Sequence, residues 1–139
     1  MLQFVVWNDA YSVRSPRLDE HHKRILRLVN ELHGKFHDGV QAGDLKAMLG
    51  QLVSYTNIHF AYEQYLMQLA GYKDVSVHVA VHNRMIARTS YLHARYTYDT
   101  ESLSREVFDF LKDWWTSHIG VDDARYAPTV SALDMSQLR

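Results

Sequence analysis

The chain of 139 residues contains no cysteine. Disulfides, cysteine-held iron–sulfur clusters and thiolate zinc sites are therefore excluded. A cysteine-free composition also fits a reducing compartment, and a cytoplasmic location is expected. Neither sign of charge is in excess. The formal net charge is -1, which gives no broad attraction to nucleic acid or anionic lipid. No apolar run approaches the length of a membrane span. The opening Met1–Trp7 is too short an apolar run, and lacks the basic start, for a signal peptide. Neither a nucleic-acid nor a membrane partner is expected. No internal repeat or low-complexity segment is present. C-x-x-C-H, which would attach a covalent haem, is absent. So is Glu-x-x-His, the mark of ferritin-like diiron oxidases. The length still suffices for a single domain, 1–139, with a real core.

Histidine is what the sequence has in plenty, with nine residues. His59 and Glu63 are four apart, so on a helix a nitrogen and a carboxylate point the same way. His78 and His82 repeat that spacing, and His22 and His118 stand alone. Spacing by itself is weak. With this many histidines, chance supplies about half a His-x3-His pair in a chain of this length. His33 and His37 form such a pair. His33 lies about 16 Å along the axis from His22, too far to share one metal centre. We read the pair as residues favoured by a helix C-terminus, and His21 and His93 as surface histidines.

Apolar periodicity predicts four helices. The first opens at Asp19 and runs to about His37, with the stripe Ile25, Val29, Leu32 and Phe36. The second, 44–70, is capped by Asp44. Its stripe continues from Leu45, Leu49 and Leu52 through Thr56, His59, Glu63 and Leu66. The third opens at Asp74 and reaches about Tyr96, with His78, His82, Met85, Thr89 and Leu92 on one face. Val75, Val77, Val79 and Val81 would also suit a strand, but the pattern from Met85 onward is helical. Thr100 can cap a fourth helix to about Ile119, carrying Leu103, Val107, Leu111, Trp114 and His118. Short connections then imply an all-α, antiparallel up-down four-helix bundle. Residues 1–18 read as an extended arm and 127–139 as a loose tail containing Pro128. In that bundle His22, His59, Glu63, His78, His82 and His118 fall at one end. A polar group on a core stripe is costly unless paired. Histidines breaking all four stripes at one level, beside a carboxylate, point to a metal or a haem.

His22 in Asp19-Glu20-His21-His22-Lys23, then His59-Phe60-x-x-Glu63, then Gly71-Tyr72 with His78-x3-His82, and finally Trp114 with His118-Ile119-x3-Asp123-x2-Tyr126, together resemble the hemerythrins. The single-domain bacterial proteins of that family are most similar, over about residues 4–127. The resemblance implies two non-haem irons. His78, His82 and His118 would hold one, and His22 and His59 the other. Glu63 and Asp123 would bridge them with an oxo or hydroxo group. That set fills eleven of the twelve positions of two octahedral ions, leaving O2 one site on the iron with two histidines. Phe60, Trp115 and Ile119 would line the O2 pocket. The implied function is reversible O2 binding for storage, delivery or sensing. O2 and small anions would be the ligands, with a protein partner needed for delivery or sensing. The alternative is a diiron enzyme that reduces O2, peroxide or nitric oxide.

Three positions depart from the family pattern. Gln64 replaces a Glu and, lying outside the ligand set, is expected to matter little. His21 stands where Gln is common. Trp115 stands where Leu is usual beside the O2 pocket. Asp123 poses a geometric conflict. Asp122, four after His118, is better placed on a regular helix, and Asp123 lies about 140° round. The family pattern selects Asp123, which requires the helix to widen or end near Gly120, as a π-type turn would do.

Overall fold

The computed structural model describes residues 4–39, 42–95 and 100–133, the side chains of 42–43 and 100–104 excepted. Helix α1 spans Pro16–His37, α2 Ala42–Ala70, α3 Val75–Arg95 and α4 Thr100–Ser117. A π-helical turn, His118–Asp123, joins α4 to a short α5, Ala124–Val130. No strand occurs among the described residues. Helix α1 packs on α2 and α4, and α3 also packs on α2 and α4. The result is the four-helix bundle that the stripes predicted.

Three boundaries differ from the sequence reading, the smallest difference being at α2, which starts at Ala42 and so places Asp44 in its first turn rather than at its cap. α1 starts three residues earlier than Asp19. Ser15 is its N-cap, accepting from Leu18 N, and Pro16 takes the first turn, where its missing N–H costs nothing. Asp19 instead faces back to the arm, accepting from Ser12 Oγ at 2.6 Å and Val13 N at 2.9 Å. Further out, the Asn30 side chain pairs with both backbone groups of Val5, each at 2.8 Å. The arm is thus bonded to α1 at two levels. At the other end, the segment from residue 127 is not a loose tail as far as residue 133. α5 continues to Val130, and Ala127 and Val130 are buried. The rest of that segment, 134–139, lies outside the described residues.

The core has two parts. Ile25, Val29, Leu32, Leu45, Leu49, Leu52, Met85, Leu92, Val107 and Leu111 fill most of the bundle. A smaller cluster holds Val13, Leu18, Leu66, Met67, Tyr126, Ala127 and Val130. Thr89 is accommodated on its stripe by donating to Met85 O at 2.7 Å. On α4 the inward position is Trp115, which is buried, and Trp114 is only half-buried. The predicted stripe is thus rotated by one residue there. Leu103 and the expected Thr100 cap lie outside the described side chains. Gly71 ends α2 with φ 73, and Tyr72 N closes the turn on Met67 O at 2.9 Å.

Candidate metal centre

Four elements bring seven side chains to one buried point. α1 supplies His22, α2 supplies His59 and Glu63, and α3 supplies His78 and His82. The π turn supplies His118 and Asp123, both buried. One extra residue in that turn resolves the conflict seen in the sequence. Asp123 points inward, with Oδ1 3.1 Å from His118 Nε2. Asp122 stays on the outer side and meets His118 Nδ1 at 3.1 Å.

The two carboxylates each divide their oxygens between two groups of imidazoles. Glu63 Oε2 lies 3.2 Å from both His22 Nε2 and His59 Nε2. Its Oε1 lies 2.9 Å from His82 Nε2 and 3.4 Å from His78 Nε2. Asp123 repeats the pattern. Oδ2 is 3.1 Å from His22 Nε2, and Oδ1 is 3.0 Å from His78 Nε2. Two donor sets result, each with all its donor atoms within 4.8 Å of one another. One is His78, His82 and His118 with both carboxylates; the other is His22 and His59 with both carboxylates.

Whether a cation fits can be tested on hydrogen bonding. Buried polar atoms ordinarily have partners. Here the Nε2 atoms of His59, His78, His82 and His118, with Glu63 Oε1 and both Asp123 oxygens, lack a satisfactory hydrogen bond. These are lone-pair atoms converging on one another, which is the donor set a divalent or trivalent metal requires. Without a metal, protons must balance the two carboxylates. Burial opposes charge on His22, yet the close carboxylates of Asp123 and Glu63 outweigh it and raise its pKa to about 9. His78 is raised to about 9 in the same way. His118 rises to about 10, the Asp123 charge and a hydrogen bond to Asp122 overcoming its burial. His82 moves the other way, its burial dominating. The carboxyls of Glu63 and Asp123 are held well below their ordinary values, because the surrounding imidazoles outweigh desolvation.

Several residues outside the expected set hold these groups in place. The buried Tyr126 hydroxyl donates to Glu63 Oε2 at 2.6 Å. His21 is not a surface residue. It is half-buried, with Nδ1 3.0 Å from His59 Nδ1. Burial, followed by the His59 and His22 charges, lowers its pKa to about 4. A neutral His21 can then accept from His59 Nδ1–H, the tautomer that leaves Nε2 free for a metal. Gln64 likewise does more than expected, its side-chain amide lying 2.9 Å from His82 Nδ1. Amide oxygen and nitrogen exchange by a flip, so Gln64 can accept from His82 just as Asp122 accepts from His118. His93 is half-buried as well. A Cβ at Gly50 would meet its Nε2 at 3.2 Å, so the glycine gives that ring room against α2.

Phe60, Trp115 and Ile119 are all buried. Phe60 stacks on His82, with centroids 3.6 Å apart and planes at 3°. It lies 6.0 Å from His59. Trp115 is 5.7 Å from Phe60 and 5.9 Å from His118, edge-on to the latter. Phe60 and Trp115 thus lay apolar rings against the three-histidine set, and Phe60 also reaches His59 of the two-histidine set, where the open position is expected. Outside, a cleft of about 460 Å³ between α3 and α4 reaches His118 and Asp122. No helix among the described residues is long and apolar enough to cross a membrane.

Known proteins share this architecture. The chain is 32% identical over 131 residues to a bacteriohemerythrin of Stenotrophomonas maltophilia (strain R551-3), covering 94% of this chain and 84% of that protein. It is 30% identical over 121 residues to myohemerythrin-1 of Phascolopsis gouldii, covering 87% and 90% respectively. A wild-type hemerythrin crystal structure, 27% identical, matches with a TM-score of 0.83 over 92% of this chain and 98% of that one. A hemerythrin leucine-to-tyrosine variant matches with a TM-score of 0.85, covering 94% and 100%. The family model of the hemerythrin HHE cation binding domain spans residues 15–130, and with it the whole converging set of histidines and carboxylates: the chain belongs to the hemerythrin family.

Proposed function

We propose that this protein binds O2 reversibly at a pair of non-haem irons. The observation that carries the reading is the division of Glu63 and Asp123 between two histidine sets. A carboxylate with one oxygen toward each set is built to serve two metals at once. His78, His82 and His118 would hold one iron and His22 and His59 the other, with an oxo or hydroxo group completing the bridge. When bound, the iron pair supplies the electrons that O2 capture needs. Five imidazole nitrogens and four carboxylate oxygens fall short of the twelve positions of two octahedral ions. Small ligands, O2 or small anions, therefore have a place to bind.

The remaining residues position and enclose. Tyr126 fixes Glu63, while His21, Gln64 and Asp122 fix the outer nitrogens of three rings. Phe60, Trp115 and Ile119 keep water out and give an apolar lining suited to an uncharged diatomic gas. The proposal includes a cytoplasmic location, which the cysteine-free sequence suits. Storage needs no further partner, whereas delivery or sensing would need a second protein. The test is an absorption spectrum of the reduced and oxygenated protein with metal analysis. Charge-transfer bands that disappear under vacuum and return with air, on an iron-loaded chain, are expected. A Soret band would overturn the reading, and sustained turnover of O2, peroxide or nitric oxide with a reductant would replace carriage by catalysis.

A further inference from the structure

We propose that His33 and His37, together with the cleft beside them, form a peripheral site for a late first-row divalent cation such as copper(II) or zinc. The site stands apart from the buried centre. His33 lies eleven residues beyond His22 on α1, about 16 Å along the axis, and neither donor set of the centre includes it.

The geometry is that of two adjacent ligands. His33 Nε2 and His37 Nε2 are 3.1 Å apart. Nitrogens bound at about 2.05 Å to one ion have that separation when the angle between them is about 98°, between the octahedral and tetrahedral values. The buried centre provides a calibration within the same molecule. Its neighbouring donor atoms are 2.9 to 3.4 Å apart.

The first ring is held ready for binding. His33 is half-buried and stacked on Phe4, with centroids 4.0 Å apart and planes at 14°. Phe108 meets it edge-on at 5.0 Å. His37 lies one turn further on, exposed to solvent. Burial, then the His37 and Lys112 charges, lower the pKa of His33, which keeps its nitrogen available as a ligand near neutral pH. Both histidines line a cleft of about 320 Å³, which Asp109 and Arg105 of α4 also line. The two imidazoles are the protein ligands, Asp109 lining the cleft without joining them in a three-ligand group, and water supplies the remaining positions. Arg105 and Lys112 oppose a dication, so the site is weaker than a buried one. Two imidazoles with oxygen donors suit copper(II) first and zinc second, by the general order of divalent affinities.

The experiment uses the iron-loaded protein, freed of any purification tag, titrated with copper(II) and followed by electron paramagnetic resonance. Iron is counted before and after. One copper per chain is expected, its signal split by two imidazole nitrogens, with the iron content unchanged. His37→Ala and His33→Ala should each weaken binding about tenfold or more, since each removes a direct ligand. His37 is exposed, so its variant keeps the fold. Equal copper affinity in the parent and both variants would overturn the site. So would copper uptake only in step with iron loss.

Discussion

Two histidine pairs in this chain have the same spacing and different surroundings. His78 and His82 have ring centroids 4.5 Å apart at 87°, and His33 and His37 have centroids 4.4 Å apart at 64°. Local helix geometry treats them alike. The difference lies in what other elements bring. Glu63 of α2 and Asp123 of the π turn face His78, and both rings of that pair are buried. The other pair meets Phe4 and Phe108 and opens to solvent. Spacing thus selects a face of a helix, and tertiary packing decides whether the face becomes a metal centre, a surface or a weak peripheral site.

Removing the shared carboxylates should erase that difference, with the largest effect. Glu63→Ala is expected to lose well over half the bound iron, because one side chain serves both donor sets. Before metal is added the fold should also weaken, by about 3–5 kcal/mol, since buried charged imidazoles lose their partner. Two tightly bound irons in this variant would contradict the division of its oxygens.

The π turn gives the next test. Asp123→Asn should sharply reduce iron retention, as an amide cannot replace a bridging anion. Asp122→Asn should keep the iron, because an amide oxygen can still accept from His118 Nδ1–H. Metal analysis of both variants decides between them, and the reverse order would move the bridge to Asp122.

Proton release sharpens the comparison further. In the metal-free protein His22 and His78 have pKa values of about 9, and His118 about 10, all raised above 6.5. The stability they contribute is therefore complete below about pH 6.5 and lost as pH rises through 9–10. Metal needs their free nitrogens, so loading at pH 7 should expel about three protons and tighten as pH rises. Calorimetry in buffers of different ionisation enthalpy would count them. No proton release would mean that these imidazoles are already neutral without metal.

The smallest effect is expected at Trp115. An indole beside Phe60 and His118 fills more space than the leucine usual in the family. Its N–H, if turned inward, could also bond a bound ligand. Trp115→Leu should admit azide severalfold faster and alter autoxidation. Unchanged rates for both would assign the indole to packing alone.

Much of this arrangement was legible in the sequence, for stated reasons. The stripes gave the bundle because each, Thr56 and Thr89 apart, was apolar except at one level. The conflict between Asp122 and Asp123 anticipated the π turn, since only an added residue could turn the latter inward. What escaped was what depends on how neighbouring helices pack. His21 looked like surface because nothing in α1 alone shows that α2 brings His59 against it. Gln64 reads as unimportant for the same reason, and Trp114 reads as the inward indole because a helical stripe resolves faces only to about one residue. Ser15-Pro16 carries a helix-start signal of its own, which competes in the sequence with Asp19. Pro128 argued for a tail, but the apolar faces of Tyr126, Ala127 and Val130 outweighed it.

In the proposed function Glu63 and Asp123 join two metals into one centre. Iron analysis combined with electron paramagnetic resonance of the oxidised protein tests it most directly. Two ferric ions sharing bridging ligands couple their spins and cancel. The prediction is a pair of irons per chain and no signal from isolated ferric iron. A strong high-spin signal from a single iron, or two irons with uncoupled spectra, would contradict it.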